Sequence, residues 1–236
     1  MRRLTTVVAA ALLACVSGIA WAAPVQVGRK TIEVPVPQGY GRVGADMTGV
    51  LALVETVLPP SNRLLALYLA EDDLAIAREG RTPAMARRFE IQIPVLMIDS
   101  PYSVADFEAL KTMARTEAER QLASLGPQID EHMARVSDAL SEKRGSDVRM
   151  TIDGVRSLPV HDETADSLTM SLVARHTVAL EQGGTSTEVS TATMSFVRVD
   201  DTVFVLWVHG GSDDLAWTRE QSKAWVQAIT TAKGVP

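Results

Sequence analysis

The pattern of hydrophobic and polar positions predicts strands in two parts of the chain. Apolar residues at every second position favour strands at 30–37 and 88–98, and 63–70 is a segment of strand length that is apolar throughout after Arg63. The first of these contains two prolines, which favour the edge of a sheet. Four further segments with strand patterns follow nearer the C-terminus, and these are 150–160, 168–180, 187–199 and 202–209. Their short connections predict an antiparallel meander.

Apolar residues at steps of three and four predict helices between and after these strands. One helix, at 47–58, ends before two consecutive prolines. A closing amphipathic helix at 217–233 has Thr218 and Gln221 at capping-box spacing. Between them, two helices within about 103–145 are separated by a Gly-Pro pair, and they are expected to pack antiparallel as a central helical hairpin, with one kinked rod as the alternative. The second of these has one apolar stripe, formed by Ile129, Met133, Val136 and Leu140.

These elements together predict the fold class. An antiparallel sheet with one apolar face buries that face by packing against helices, so the chain is expected to be α+β, with an antiparallel sheet covered by helices and a central helical hairpin. The 214 residues of 23–236 are enough for a single domain with one core, since one core remains economical up to about 250 residues.

The N-terminal segment 1–22 has the features of a signal peptide. Arg2 and Arg3 precede an apolar run at 7–16 that is too short to span a bilayer, and Ala20-Trp21-Ala22 has the small residues of a cleavage site. The mature chain is therefore expected to begin at Ala23, in the periplasm or secreted. The alternative is a lipobox ending at Cys15, which would anchor the protein to a membrane through an acyl chain.

Composition excludes several kinds of partner and cross-link. Removing 1–22 takes away two arginines and no acid, so the net charge changes from −6 to −8, which argues against nucleic acid as a partner. Cys15 is the only cysteine, so the mature chain can form no disulfide. No second apolar run of about 20 residues is present, so no transmembrane segment is expected in the mature chain.

The C-terminal arrangement resembles a known fold. A meander followed by a helix that carries Trp217 and Trp225 looks like the end of the PsbP-like α/β/α sandwich, over residues 150–232. This resemblance implies an exported, non-catalytic binding protein. The opening at 35–40 also resembles the start of several exported proteobacterial proteins of uncharacterised function. No functional residue is carried over from either resemblance.

Two histidines on apolar strands are candidate binding residues. His176 is in phase with the apolar residues of 168–180, and His209 is in phase with those of 202–209. A polar ring on an apolar stripe is either a hydrogen-bonded core residue or a residue at the rim of a site. If their strands lie two positions apart in the sheet, both rings would approach one patch.

A metal site is the hypothesis for the segment around His161 and Glu163. Alternate residues of an extended segment share a side, so these two are expected to point the same way, while Asp162 points to the other side. The alternative is a solvated loop between strands. No motif indicates a cofactor, so none is expected.

No catalytic motif remains once the sequence context is considered. His209-Gly210-Gly211 resembles an oxyanion loop of lipase-like hydrolases, but no Gly-x-Ser-x-Gly elbow follows it, and the end of a strand explains it better.

The sequence therefore favours a soluble, non-catalytic periplasmic binding or accessory protein, whose partner is an unknown protein or small ligand of the envelope. A hydrolase with a dispersed active site and a metal-binding periplasmic protein are the alternatives.

Overall fold

The computed structural model describes residues 22–124, 126–180 and 184–232, and it leaves aside the side chains of 117–128 and 143–144. The expected leader, including Cys15, lies outside these ranges apart from Ala22, which begins the first strand. No helix within the described ranges is long and apolar enough to cross a membrane.

The described residues form an α+β fold. In chain order its elements are β1 (Ala22–Val27), β2 (Lys30–Pro35), β3 (Tyr40–Arg42), α1 (Thr48–Val57), β4 (Asn62–Ala70), α2 (Glu71–Arg78), β5 (Arg88–Pro94), α3 (Val104–Ser124), α4 (Gly126–Arg144), β6 (Val148–Ser157), β7 (Asp162–Thr164), β8 (Ser167–Leu180), β9 (Gly184–Val199), β10 (Thr202–Gly211) and α5 (Leu215–Ala232). The central pair α3 and α4 is present, as the hydrophobic pattern predicted.

The main sheet is antiparallel and joins the two halves of the chain. Its strand order is β3-β4-β5-β10-β9-β8-β6, with β7 paired to β8. The meander predicted for the last third is confirmed, because β8, β9 and β10 are neighbours in sequence order. Strand β5 of the N-terminal half pairs with β10 of the C-terminal half. Strands β1 and β2 form a separate hairpin, so β2 does lie at an edge.

Strand β5 is shorter than its alternating pattern predicted. The expected strand at 88–98 ends at Pro94, and Val95–Met97 forms a single 3-10 turn. The backbone amide of Val95 donates to the carbonyl of Ser61 rather than continuing the ladder with β10. The alternating pattern does not distinguish this turn from a strand, because neighbouring side chains of a 3-10 turn also point in different directions.

The register of the strands assigns side chains to two faces of the sheet. We call one the α5 face, because helix α5 packs on it, and the other the opposite face. The α5 face carries buried apolar residues of three neighbouring strands, which are Tyr68, Phe89, Ile91, Leu206 and Val208. Helices α1 and α2 cover β4 on the opposite face, where Val50, Val54 and Leu74 cluster with Leu67 and Leu69.

Aromatic rings fill the α5 face where β5 passes beneath the helix. Phe89 makes edge-to-face contacts with Tyr40, Trp217 and Trp225, at ring-centroid distances of 4.6, 5.9 and 5.3 Å. The indole Nε1 of Trp225 donates to the carbonyl of Pro35, 2.8 Å away, which ties α5 to the β1–β2 hairpin. This cluster is therefore shared by the main sheet, the hairpin and the closing helix.

Where α5 crosses β8 and β9, the buried contact is made by hydroxyl groups. We call these six residues the hydroxyl layer, and they are Thr169, Ser171, Thr193, Ser195, Thr218 and Ser222. Ser195 bonds Thr169 at 2.8 Å and Ser222 at 2.7 Å. Thr218 lies inside α5 and accepts from Thr193 across 2.9 Å, so the predicted capping box with Gln221 is wrong.

Two serines attach α4 to the edge of the main sheet. The Ser137 hydroxyl accepts from the amide of Met150 at 2.9 Å, and the Ser141 hydroxyl accepts from the amide of Val148 at 2.8 Å. Both strand residues belong to β6, the last strand of the sheet. Hydroxyls spaced four residues apart on one face of α4 thus hydrogen-bond outward-facing amides of an edge strand.

Candidate functional site

The middle of the opposite face is partly exposed, although the same strands are buried on the α5 face. On β9, Thr193 and Ser195 are buried while the alternate residues Met194 and Phe196 are only half-buried. On β10, Trp207 and His209 are likewise half-buried. We call this half-buried region the central strip, formed by Leu172, Ala192, Met194, Phe196, Trp207 and His209.

Helices approach each other above this face of the sheet. Helix α1 covers β4, and α4 lies along β6, so the two helices flank strands β5, β10, β9 and β8. They meet where the Nε2 atom of His132 lies 2.9 Å from the carbonyl oxygen of Val57. The central strip therefore lies on the face of the sheet that α1 covers at β4, and the contact between α1 and α4 lies on the same side.

A buried carboxylate lies beside the central strip. Glu90, on β5, is 2% exposed, and its two oxygens accept from Arg88 Nε and from Gln92 Nε2, each across 2.6 Å. Gln92 in turn accepts from Asn62 Nδ2 at 3.1 Å. His209 Nε2 is 3.4 Å from Glu90, which is long for a hydrogen bond. These residues form one connected polar cluster in an otherwise apolar face.

The charges in this cluster are set by burial and by Arg88. Burial opposes the ionisation of Glu90, but His209 and Arg88 outweigh it and hold the pKa of Glu90 far below its ordinary range. Burial, and then the charge of Arg88, lowers the pKa of His209. At pH 7 the lowered pKa of His209 leaves its ring neutral, so Arg88 is then the cation beside Glu90, and His209 adds a second positive charge only once it is protonated at lower pH.

His209 also contacts Trp207, and both rings keep a nitrogen without a hydrogen bond. Their rings stack with centroids 5.8 Å apart and an interplanar angle of 15°. Trp207 Nε1 and His209 Nε2 are buried and have no hydrogen-bond partner within the described residues. Two unpaired ring nitrogens on neighbouring positions are unusual, because buried polar atoms normally find partners.

The structure does not bring His176 to the same patch as His209. Both rings lie on the opposite face, and their strands are two positions apart in the sheet, as the sequence analysis required. His176 pairs with Glu188 on β9, whereas His209 pairs with Ala192, four residues further along that strand. The two positions are therefore about 16 Å apart in the sheet, by ordinary strand spacings. His176 instead lies 3.6 Å from Glu188.

His161 and Glu163 have their partners on different faces of the sheet, contrary to the expectation that they share a side. His161 Nε2 is 3.1 Å from the Ser171 hydroxyl, on the α5 face. Glu163, on β7, forms ion pairs with Lys111 and Arg115 of α3, on the opposite face. His161 lies in the segment between the end of β6 and the start of β7, outside any strand, so strand alternation does not apply from it to Glu163. Within the described ranges no three His, Cys, Asp or Glu residues group closely enough to hold a metal.

Ser171 and His161 form a serine–histidine contact that sequence spacing did not indicate. A nucleophilic serine needs an accessible oxygen that donates its proton to the histidine. Ser171 is fully buried, and its oxygen also contacts Thr193 at 3.0 Å and accepts from Arg219 Nε at 3.2 Å. A hydroxyl has one proton and two lone pairs, so three partners saturate it. This geometry does not favour a nucleophile.

The Gly210-Gly211 pair serves the corner between β10 and α5. A side-chain carbon on Gly210 would lie 2.5 Å from the Cβ of Asp214, so glycine is required there. The amide of Gly211 donates to the Asp214 carboxylate at 2.9 Å. The interpretation of this segment as a strand end is thus supported by its contacts.

Acid is expected to destabilise the fold through His209. Since burial lowers the pKa of His209, the unfolded chain binds a proton below about pH 6.5 that the folded chain does not, so stability falls as the pH falls. Glu90, with its lowered pKa, adds a loss below about pH 4.3. Melting temperatures at pH 7.5 and 5.5 should fall less in His209→Gln than in the wild type. An equal fall would show that His209 is not the titrating group.

Comparison with known proteins does not identify a family for this chain. No protein-family model matches it, and no curated protein matches it significantly. Among solved structures, cyanobacterial PsbP (CyanoP) from Synechocystis sp. PCC 6803 has 9% identity and a TM-score of 0.32, with 90% of this chain and 93% of that chain covered. The Ran-binding protein Mog1p from Saccharomyces cerevisiae has 13% identity and a TM-score of 0.27, with 89% of each chain covered. A PsbP structure is thus among the matches, but at these values neither protein assigns a function or residue to this chain.

Proposed function

We propose that this protein is a non-catalytic binding or accessory protein of the bacterial cell envelope, exported through its leader at 1–22. The observation that carries the proposal is the central strip. Its half-buried Trp207, Met194 and Phe196 form an apolar floor, and the polar cluster lies directly beside it. Ligand sites combine a mostly apolar lining with a few fixed polar groups in this way.

The chemistry of the strip favours an apolar ligand or an apolar segment of a partner protein. Methionine is flexible and polarizable, and tryptophan offers a large flat surface, so the two adapt to varied apolar shapes. Glu90 is already paired with Arg88 and Gln92, so it has little capacity left for a cationic ligand. The ring of His209, with about a fifth of its side chain exposed, is the polar group nearest to a ligand on the strip.

A hydrolase is the second candidate function, because the ring of His209 is neutral at pH 7 and lies at the rim of the apolar strip. A neutral imidazole with a lowered pKa, at the rim of an apolar strip, has the properties of a general base. Catalysis would further require a nucleophile or an activated water near that ring. Ser171, the serine that contacts a histidine, lies on the other face of the sheet, beside His161.

Binding at the strip can be tested with a charge placed on its floor. Met194→Glu is expected to abolish binding of an apolar fluorescent probe, anilinonaphthalene sulfonate, and capture of the envelope partner, because a carboxylate on the floor opposes apolar contact. Thr185→Glu places the same charge on the exposed end of the same strand and should leave both unchanged. Met194→Gln, an uncharged change, covers the case in which the first variant unfolds. If the Met194 variants fold and bind the probe and the partner as well as Thr185→Glu does, the proposal is refuted.

The hydrolase alternative needs a separate measurement. Purified protein should show no turnover of ester, peptide or glycan substrates if the proposal is right. Turnover that disappears in folded His209→Gln would replace the binding proposal with the hydrolase. Circular dichroism of the variant distinguishes lost chemistry from lost structure.

A further inference from the structure

A group of basic side chains surrounds Ser171 on the α5 face, away from the central strip. Arg219 and Lys223 are one helical turn apart on α5, and His161 precedes β7. Arg219 Nε and His161 Nε2 both contact the Ser171 hydroxyl, at 3.2 and 3.1 Å. We call these four residues the Ser171 corner. They come from three separate elements that only the folded chain brings together.

The positive charge of this corner is poorly balanced. Lys223 lies 3.7 Å from Asp162, but no carboxylate of the described ranges is within ion-pair distance of Arg219. This is notable in a chain whose net charge is −6, because acidic partners for arginine are plentiful elsewhere in it. Arg87, Arg115 and Arg198, for example, each have a carboxylate partner. Arg219 is instead oriented by a neutral hydroxyl.

The orientation of Arg219 leaves its charged end available. Ser171 is saturated by its three partners, and it takes only the Nε–H of the guanidinium. The two terminal nitrogens of an arginine form a planar fork that matches two oxygens of an anion. Arg219 as a whole residue is half-buried, and partial burial strengthens its electrostatic interactions relative to those of a fully exposed arginine.

We propose that the Ser171 corner binds a small oxoanion, a phosphate or carboxylate group, between Arg219, Lys223 and His161. Arg219 supplies the paired donors, Lys223 supplies a mobile charge, and His161 supplies a ring that becomes a further cation on protonation. The site lies on the other face of the sheet from the central strip, so it does not depend on the function proposed for the strip.

Protonation of His161 should be linked to anion binding. The groups facing His161 are Arg219 and Lys223 of α5, Asp162 of β7 and Ser171 of β8. Burial and then Arg219 lower the pKa of His161, with Lys223 adding to this effect and Asp162 opposing it. A bound anion counteracts both cations, so it raises the pKa of His161, and by reciprocity the anion binds more tightly as the pH falls.

The experiment follows the imidazole resonance of His161 by NMR while inorganic phosphate or acetate is added at constant ionic strength, with chloride as the background anion. We expect a saturable rise in the pKa of His161 with at least one of the two anions. A rise in this pKa with phosphate alone would indicate that the site prefers a tetrahedral oxoanion. A rise with acetate alone would indicate that it prefers a planar carboxylate. Arg219→Gln should weaken binding about tenfold or more, the value of one charge-assisted hydrogen bond.

Two variants separate this site from general charge effects. Arg63→Gln removes the same charge from an exposed position on β4 and should leave binding unchanged. Lys223→Gln, at an exposed side chain, should weaken binding less than Arg219→Gln and covers the case in which the latter does not fold. The proposal is overturned if neither anion shifts the pKa of His161 beyond chloride, or if Arg219→Gln and Lys223→Gln both bind as the wild type does.

Discussion

Val136→Asp is expected to lower the free energy of unfolding by about 3 to 5 kcal/mol. Val136 has no exposed surface, and it lies on the α4 stripe beside Met133, which is also buried. Helix α4 is attached to β6 through Ser137, directly after Val136, so the helix cannot rotate the new carboxylate outward without breaking those hydrogen bonds. Chemical unfolding followed by circular dichroism measures the difference.

Asp138→Ala is the matched control on the same helix. Asp138 is exposed, two residues from Val136, and its removal should change stability by no more than about 0.5 kcal/mol. Similar unfolding midpoints for the two variants would mean that α4 is not packed against the sheet through its apolar stripe.

Phe89→Ala is expected to cost about 3 to 5 kcal/mol for a different reason. The ring is fully buried, and it contacts three other aromatic rings, those of Tyr40, Trp217 and Trp225. Its loss leaves a cavity where the sheet, the β3 region and α5 meet, and the large rigid rings around it cannot easily close that space. The melting temperature should fall strongly, with loss of near-ultraviolet circular dichroism from the tryptophans.

Phe196→Ala removes the same ring from the opposite face and serves as the comparison. Phe196 is half-buried on the central strip, so its removal should cost less than half as much stability as that of Phe89. It should, however, weaken the binding proposed for the strip. Equal destabilisation by both variants would contradict the assignment of a packed face and a partly open face.

The polar cluster around Glu90 bears on how this strip acts. A buried carboxylate with an arginine partner contributes little net stability compared with apolar residues of the same volume. Such a cluster instead fixes the position of neighbouring side chains, because each of its bonds has a narrow geometry. Arg88, Glu90 and Gln92 hold the strand next to Trp207 and His209 in one arrangement, which suits a preformed binding surface.

Local patterns in the sequence determined most of the elements. The strand at β4, the meander of β8 to β10, helix α1 and helix α5 follow from periodicity, because burial of one face requires apolar residues at the period of the element. The positions of turns and prolines set most of their ends. His209 was a candidate from its phase on an apolar strand, and its burial beside Glu90 depends on that same phase.

Tertiary structure alone decided what lies opposite each strand. The pairing of β5 with β10 creates the contact between Glu90 and His209, and no local pattern encodes a partner so distant in the chain. The register also separates His176 from His209 by four residues. The register depends on which apolar residues of neighbouring strands face each other, so it is a property of the assembled sheet.

The hydroxyl layer shows the same limit in another way. Thr193 and Ser195 alternate with Met194 and Phe196, and the pattern by itself favours the hydroxyl side as the solvent side. The structure reverses this, because α5 places Thr218 and Ser222 where they satisfy those hydroxyls, and a paired hydroxyl is no longer costly to bury. The sequence thus determined which residues alternate on β9. The docking of α5 decided which of the two faces of β9 became buried. This could not be predicted, because hydrogen bonding between two elements is not visible in the order of residues along one of them.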